Sequence, residues 1–385
     1  MILEHVRPLG AAPVDVHVEE GRIARLLPSA RPGPAALLLP GLVEGHCHLD
    51  KTLWGLPWWV NEVGPTRMDR IENEKRVRRR IGMDAAREGR ALAEAHLAAG
   101  TTRLRSHVDV DEESRLLHVE KLLGLREAMA GRMEIQLVAF PQSGILRTPG
   151  VREWLDEALR LGCDAVGGID PSLIDRDPVG HLDAVFGLAQ KHARPVDIHL
   201  HEPGELGAFA LELIAERTRA LGMGGRVVVS HGFALGDLAG PRADGLMALL
   251  AEAGVALCTS APPSRAVPPL LRARELGLVV FAGNDNIRDT WNPANAPDML
   301  ARAEMVALKY DLRRDADLAL AFETVSSAGA LGCGFGEYGL APGCRADLVL
   351  VEASCLAEAV VTRRPPKLVV SGGRVVARDG ALARG

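Results

Sequence analysis

Leu39-Pro-Gly-Leu-Val-Glu-Gly-His-Cys-His-Leu-Asp-Lys-Thr52 is the stretch on which the reading of the chain turns. A hydrophobic run from Ala36 to Val43 leads into two histidines, His46 and His48, with Cys47 between them. On a β-strand, i, i+2 spacing turns both imidazoles to one face. Two neutral imidazoles converging from the end of a buried strand can begin a transition-metal site. Taken alone, the pair is equally well two polar residues closing a strand. The difference lies downstream, where further ligand-type residues stand at the ends of other apolar strands.

From Leu37 onward, apolar strands alternate with amphipathic helices. Strands are expected to end near His46, Asp109, Phe140, Ile169, His199, Ser230, Thr259 and Gly283. Helical periodicity covers Met83 to Ala98, Glu153 to Leu161, Leu182 to His192, Gly245 to Ala253, Asp298 to Tyr310 and Ala316 to Ala330. Eight strand–helix units over about 300 residues predict an α/β fold, a (β/α)8 TIM-type barrel spanning 41–340. The flanks differ. Short strand-like pieces (Val14 to Val18, Arg22 to Leu27) precede the barrel, and Ala346 to Val351, Leu368 to Val370 and Arg374 to Ala377 follow it, with Gly372-Gly373 as a turn. Residues 1–40 and 341–385 are therefore expected to build one small β-sandwich from both chain ends.

Composition narrows the class. The chain has 385 residues and a net charge of −5, with a pI near 6.2, which leaves no basic footprint for nucleic acid or acidic membranes. No apolar run is long enough to span a bilayer, and the N-terminus lacks a signal-peptide pattern. The six cysteines (Cys47, Cys163, Cys258, Cys333, Cys344, Cys355) are scattered without a Cys-x-x-Cys pair and read as reduced thiols of a cytoplasmic protein. Arg greatly outnumbers Lys, which reads as a genomic base-composition bias. A homo-oligomer is compatible with everything in the sequence.

In such a barrel, catalytic residues sit at the C-terminal ends of the strands. Those ends carry His46 and His48; Gln142 in Ala139-Phe140-Pro141-Gln142; His199, His201 and Glu202 in Asp197 to Glu202; Ser230 and His231; and Asn284, Asp285 and Asn286 after Gly283. Several histidines and a carboxylate on separate strand ends point together to a metal site. Strand alternation turns His199 and His201 to the same face, so either could be a ligand.

These motifs resemble the amidohydrolase superfamily, in particular its cytosine deaminase-like branch: GHCHLDKT (45–52), AFPQ (139–142), DIHLHE (197–202), VSHG (229–232) and GNDNIRDTW (283–291). The tail LAPGCRADLVL (340–350) is similar too. The resemblance implies that His46, His48, His199 and Asp285 hold the metal and that Glu202, three residues after His199, shuttles protons. It implies that His231 polarises the attacking hydroxide and Asp285 helps move protons, while Gln142, Asn286 and Trp291 read the substrate. The expected substrate is a small cytosine-like ring losing ammonia; the alternatives are an N-alkylamino s-triazine, as in N-isopropylammelide amidohydrolases, or another cyclic amide.

Binuclear relatives bridge two metals with a lysine at the end of the fourth strand. Here that end reads Val166-Gly167-Gly168-Ile169-Asp170 without a lysine, so one divalent ion is expected. Three imidazoles and a carboxylate suit zinc or iron(II). Such an ion lowers the pKa of its water from 15.7 to about 7.

Other residues carry two readings each. His107, Asp109 and Asp111 alternate at the end of the second strand; His107 either stands behind the ligands or ends the strand, and Asp111 belongs to the strand tail. Asp50 and Lys51 read as a loop ion pair. Trp54, Trp58 and Trp59 either stack on a ring or pack a loop, while Glu72 to Arg80 reads as a solvated helix face. Cys47 should point away from its flanking histidines. Asn286 stands where cytosine deaminases of this branch carry Asp; a carboxamide donates and accepts where a carboxylate only accepts, so the ring edge read there is expected to differ.

Overall fold

The computed structural model describes residues 1–383. Two eight-stranded sheets organise it. The first holds β1 (Ile2–Pro8), β2 (Val14–Glu19), β3 (Arg22–Pro28) and β4 (Ala36–Pro40). The second is the parallel barrel: β5 (Leu42–Cys47), β6 (Thr101–Asp109), β7 (Glu134–Phe140), β8 (Ala165–Ile169), β9 (Val196–Leu200), β10 (Val227–His231), β11 (Val255–Thr259) and β12 (Val280–Ala282), hydrogen-bonded in that order. The chain then returns to the first sheet with β13 (Leu348–Val351), β14 (Leu368–Ser371), β15 (Arg374–Arg378) and β16 (Ala381–Leu382). Every expected barrel strand is present, and each ends within one residue of its predicted position.

Alternation explains how the first sheet serves two cores. Leu37 and Leu39 of β4, with Val349 and Val351 of β13, pack into the large core shared with the barrel. Their neighbours Leu38 and Leu348 face a separate small core. That small core also joins Val16 and Ile23 to Val370. These strands lie far apart in the sheet order, so the sheet curls over its own apolar face as a small sandwich. β14 and β15 are antiparallel with Ser371 paired to Arg374. The turn residues Gly372 and Gly373 both have positive φ, 52° and 76°, the conformation a two-residue hairpin loop needs.

Helices cover the barrel: α1 (Arg67–Ile81), α2 (Ala85–Ala98), α3 (Leu117–Ala128), α4 (Val151–Leu161), α5 (Pro178–His192), α6 (Gly204–Ala220), α7 (Ala234–Asp237), α8 (Gly240–Ala253), α9 (Leu270–Glu275), α10 (Met299–Lys309), α11 (Asp315–Thr324) and α12 (Ser327–Cys333). A thirteenth, α13 (Leu356–Thr362), joins β13 to β14. Local chemistry starts several of them. Asp84 and Asp298 each accept two backbone N–H groups at the head of α2 and α10, and Thr66 with Asp69 forms a capping box on α1. The single helix expected over Ala316 to Ala330 is two, α11 and α12, broken at Val325-Ser326. No helix among the described residues is long and apolar enough to cross a membrane.

Barrel closure bears directly on the site. β5 and β12 meet where Asp285 N donates to His46 O at 2.7 Å. The Glu44 carboxylate straddles this seam, accepting from His46 N at 3.1 Å and Asn284 N at 2.8 Å. Gly283 permits the approach, since a Cβ there would sit 2.5 Å from His46 N and 2.7 Å from His46 O.

Candidate active site

Strand alternation carries His46 and His48 into the barrel mouth. Cys47 faces the other way, its thiol 3.6 Å from the Arg105 carbonyl oxygen. Across the seam, Asp285 Oδ1 lies 3.6 Å from His46 Nε2 and 3.4 Å from His48 Nε2. Ligand-type atoms of His46, His199, His231 and Asp285 lie within 4.8 Å of one another, as do those of His46, His48, His107 and His199. Among the described residues, His46 Nε2, both ring nitrogens of His199 and both of His231 are buried without a hydrogen-bond partner. Leaving so many buried polar atoms unpaired is costly, and a cation in their midst removes the cost. This donor set fits a divalent metal ion.

Electrostatics prepare the groups for that role. Burial pushes the imidazoles of His199 and His231 well below their ordinary pKa, so both are neutral with a lone pair to give. Burial by itself would raise the Asp285 carboxyl, but the imidazoles of His46 and His48 against it, with that of His231, hold it well below the usual range. His231 and Asp285 also have left-handed backbones, with φ of 76° and 61°. Non-glycine residues in that region cost on the order of 1–3 kcal/mol, and such strain clusters at functional sites.

Behind His46 runs a chain the sequence reading did not pick out. His46 Nδ1 lies 2.8 Å from Ser230 Oγ, and Ser230 Oγ donates to Asp197 Oδ1 at 2.8 Å. The hydroxyl proton is thus committed to the carboxylate, and Ser230 accepts from His46 Nδ1–H, leaving Nε2 bare for a metal. Asp197 is further held by Arg105 Nη1 at 3.0 Å and has His107 Nε2 at 3.3 Å. His107 therefore stands behind the ligands, its ring 4.1 Å from that of His46. The signal for Asp197 was available: it lies two residues before His199 and shares its face. Phe140 stacks on the His199 ring at 4.1 Å.

His201 does not join the cluster. Its Nδ1 lies 3.0 Å from Asp170 Oδ2 and its backbone N–H donates to Asp170 Oδ1 at 2.6 Å, while the ring stacks on His231 at 4.3 Å. Of the two candidates it is His199 whose nitrogens meet the other ligand-type atoms. Glu202 is fully buried beside the cavity. Its Oε1 accepts from the backbone N–H groups of Ser172 and Leu173 at 2.7 and 2.8 Å, and its Oε2 has no partner among the described residues. Burial pushes its carboxyl up to about 7.

A cavity of about 470 Å³ opens above the cluster, and Gln142, Asn286 and Trp291 line it beside His48, His199 and Asp285. Lys51 lines it too, which corrects the loop ion pair expected with Asp50. Lys51 Nζ donates to Asp109 Oδ1 and to Gln142 Oε1, both at 2.9 Å, whereas Asp50 accepts from Asp109 N and meets His118 Nδ1. Lys51 is only 2 % exposed, and a buried ammonium needs carboxylates against it. The solvated face expected for Glu72 to Arg80 holds for Glu72, Arg76 and Arg80, which are exposed, and is corrected for the opposite side. Glu74 and Arg78 of α1 are turned inward, Glu74 meeting Arg78, Lys51 and the Trp291 indole N–H, and Arg78 reaching Asp109. High charge density hid this burial because the charges pair with one another. Trp54 packs against the core, Trp58 is 67 % exposed, and neither they nor Trp59 line the cavity.

A parallel eight-stranded barrel with a buried histidine–aspartate cluster at its mouth is suited to a divalent metal ion, and the family match makes it a hydrolase acting on carbon–nitrogen bonds. The chain belongs to the amidohydrolase family, which it matches over residues 36–380. It is similar to an N-isopropylammelide isopropylaminohydrolase from Burkholderia multivorans ATCC 17616, whose crystal structure superposes with a TM-score of 0.96 at 50 % identity, covering 99 % of both chains. Similarity extends to N-isopropylammelide isopropyl amidohydrolase of Pseudomonas sp. (strain ADP), 30 % identical over 90 % of this chain and 87 % of that protein. The crystal structure of a 5-methylcytosine deaminase from Klebsiella pneumoniae, liganded with 5-fluorocytosine, superposes with a TM-score of 0.87 at 27 % identity over 100 % of this chain and 99 % of that one.

Proposed function

We propose that this amidohydrolase removes an N-alkylamino substituent from an oxo-substituted s-triazine of the N-isopropylammelide type, using one divalent ion, zinc or iron(II), held by His46, His48, His199 and Asp285. The observation carrying this is the convergence of four ligand-type residues from β5, β9 and the end of β12 beneath one cavity. The 50 % identity over 99 % of both chains supports the alkylamine reading. A second reading, deamination of a cytosine-like ring with release of ammonia, draws support from the likeness to 5-methylcytosine deaminase.

When bound, the ion supplies a water that ionises near neutral pH. The chain's own groups do the rest. Glu202, with a carboxyl near pH 7 and a free Oε2, can take up a proton and return it to the ring nitrogen beside the reacting carbon. His231, neutral and unpartnered, orients and polarises the nucleophile. Asp285 assists in passing a proton to the departing amine, and Gln142, Asn286 and Trp291 place the ring. The end of β8, Ile169-Asp170, carries no lysine to bridge a second ion, and Asp170 is engaged with His201. The test is direct: incubate the metal-replete protein with N-isopropylammelide and with cytosine, and identify the released amine. Isopropylamine is expected. Ammonia from cytosine at a higher kcat/KM would favour the second reading, and no amine from any amino-triazine or amino-pyrimidine would refute both.

A further inference from the structure

Two side-chain amides line the cavity, and a charged group grips each from behind. Lys51 Nζ lies 2.9 Å from Gln142 Oε1. An ammonium has three N–H donors and no acceptor, so the oxygen of the amide has to face it. Gln142 Nε2 is left buried and without a partner among the described residues, in a residue only 3 % exposed. Lys51 is itself clamped by Asp109 Oδ1 at 2.9 Å, with Glu74 Oε2 at 3.7 Å. Asn286 is held the other way round. Its Nδ2 donates to Asp289 Oδ2, while Asp289 Oδ1 accepts the backbone N–H groups of Trp291 and Asn292, both at 2.8 Å. A carboxylate only accepts, so the amide nitrogen must face Asp289, and Oδ1 of Asn286 is the atom left to a ligand.

We infer that Lys51 and Asp289 are positioning residues that lock these two amides in opposite polarity, so that the bound ring must present an acceptor to Gln142 and an N–H donor to Asn286. The inference rests on the reading of this cavity as a heterocycle site and names its substrate class: rings with a lactam edge, O=C–N–H. A 2-amino ring offers the reverse order, a donor on carbon and an acceptor on nitrogen, and leaves both amides mispaired. The lock also revises the meaning of Asn286. It was expected to read a different edge from Asp because a carboxamide both donates and accepts, but with its nitrogen held by Asp289 it presents an acceptor oxygen, as a carboxylate would. Gln142 likewise meets the ring through its nitrogen, its oxygen being held by Lys51.

Two small rings separate the polarities: pyrimidin-2-one, with the lactam edge, and 2-aminopyrimidine, with the reverse and with an amino group whose retention is checked after the titration. Calorimetric titration into the metal-replete protein should give about 100-fold tighter binding of pyrimidin-2-one, about tenfold for each of the two mispaired buried polar groups. Lys51→Met and Asp289→Asn each free one amide to turn while the other stays locked, so each should cut the preference by about tenfold with metal content unchanged. Lys51→Arg should keep the preference. Asp289→Asn carries the test alone if Lys51→Met, which leaves Asp109 with Arg78 as its remaining cation, fails to fold. Equal affinities in the wild type, or a preference undiminished in Asp289→Asn, would overturn the lock alone. Failure of both rings to bind would overturn it together with the heterocycle reading.

Discussion

Ser230→Ala isolates the chain that prepares His46. In the native protein His46 Nδ1 gives its proton to Ser230 Oγ at 2.8 Å, and Ser230 passes its own to Asp197 at 2.8 Å. Alanine removes the acceptor that fixes the tautomer, so Nδ1 and Nε2 compete for the proton and the ring loses an orienting contact. Partners of this kind behind a metal ligand are worth about 10–100-fold in metal affinity, or about 1.4–2.8 kcal/mol. Global stability should change less, by about 1 kcal/mol for one neutral hydrogen bond, because Asp197 keeps Arg105 at 3.0 Å. Competition against a chelator of known affinity measures the first quantity, and denaturant unfolding of the metal-free protein measures the second. Metal affinity unchanged within twofold would refute the claim that this chain sets the His46 tautomer.

Glu202→Gln keeps shape but cannot carry a proton, so the ion should stay while turnover falls by about 10²-fold or more; loss of the ion on elemental analysis would instead make Glu202 a ligand. Burial raises the Asp289 carboxyl from 3.8 to about 6, so the folded chain binds more protons than the unfolded one between those values. Stability should therefore lose up to about 3 kcal/mol from this group as pH rises through that window; between pH 4 and pH 7 the unfolding free energy should fall by about that much more in the wild type than in Asp289→Asn, and identical slopes would count against the assignment. Gly283→Ala would drive a Cβ against the backbone of His46 at 2.5 Å, opening the seam and costing about 1–3 kcal/mol; an unchanged denaturation midpoint and metal affinity would mean the seam can yield.

The barrel was legible because each strand is a short apolar run bounded by polar ends, so period and length together give the count. The sandwich was legible for a related reason: both termini leave the βα rhythm for short alternating strands. His46, His48, His199 and Asp285 could be read from strand ends and from the resemblance to amidohydrolases. Alternation alone did not separate His201 from His199, since it gives them one face; the resemblance favoured His199, and in the structure the Asp170 carboxylate, from β8's end, holds His201 aside. Lys51 and Glu74 escaped because their burial depends on α1 folding over the mouth, a contact between segments with no local signature. The polarity of Gln142 and Asn286 depends on the groups behind them, and residue type alone says only that each amide can do both.

The most direct measurement of the central claim is the metal content of wild-type protein beside that of Asp285→Ala and of the His46→Ala/His48→Ala double variant, each purified in parallel and shown to be folded. A single site built from β5, β9 and the end of β12 predicts about one divalent ion per chain in the wild type and most of it lost in both variants. Full occupancy in the double variant, or two ions per chain in the wild type, would contradict it.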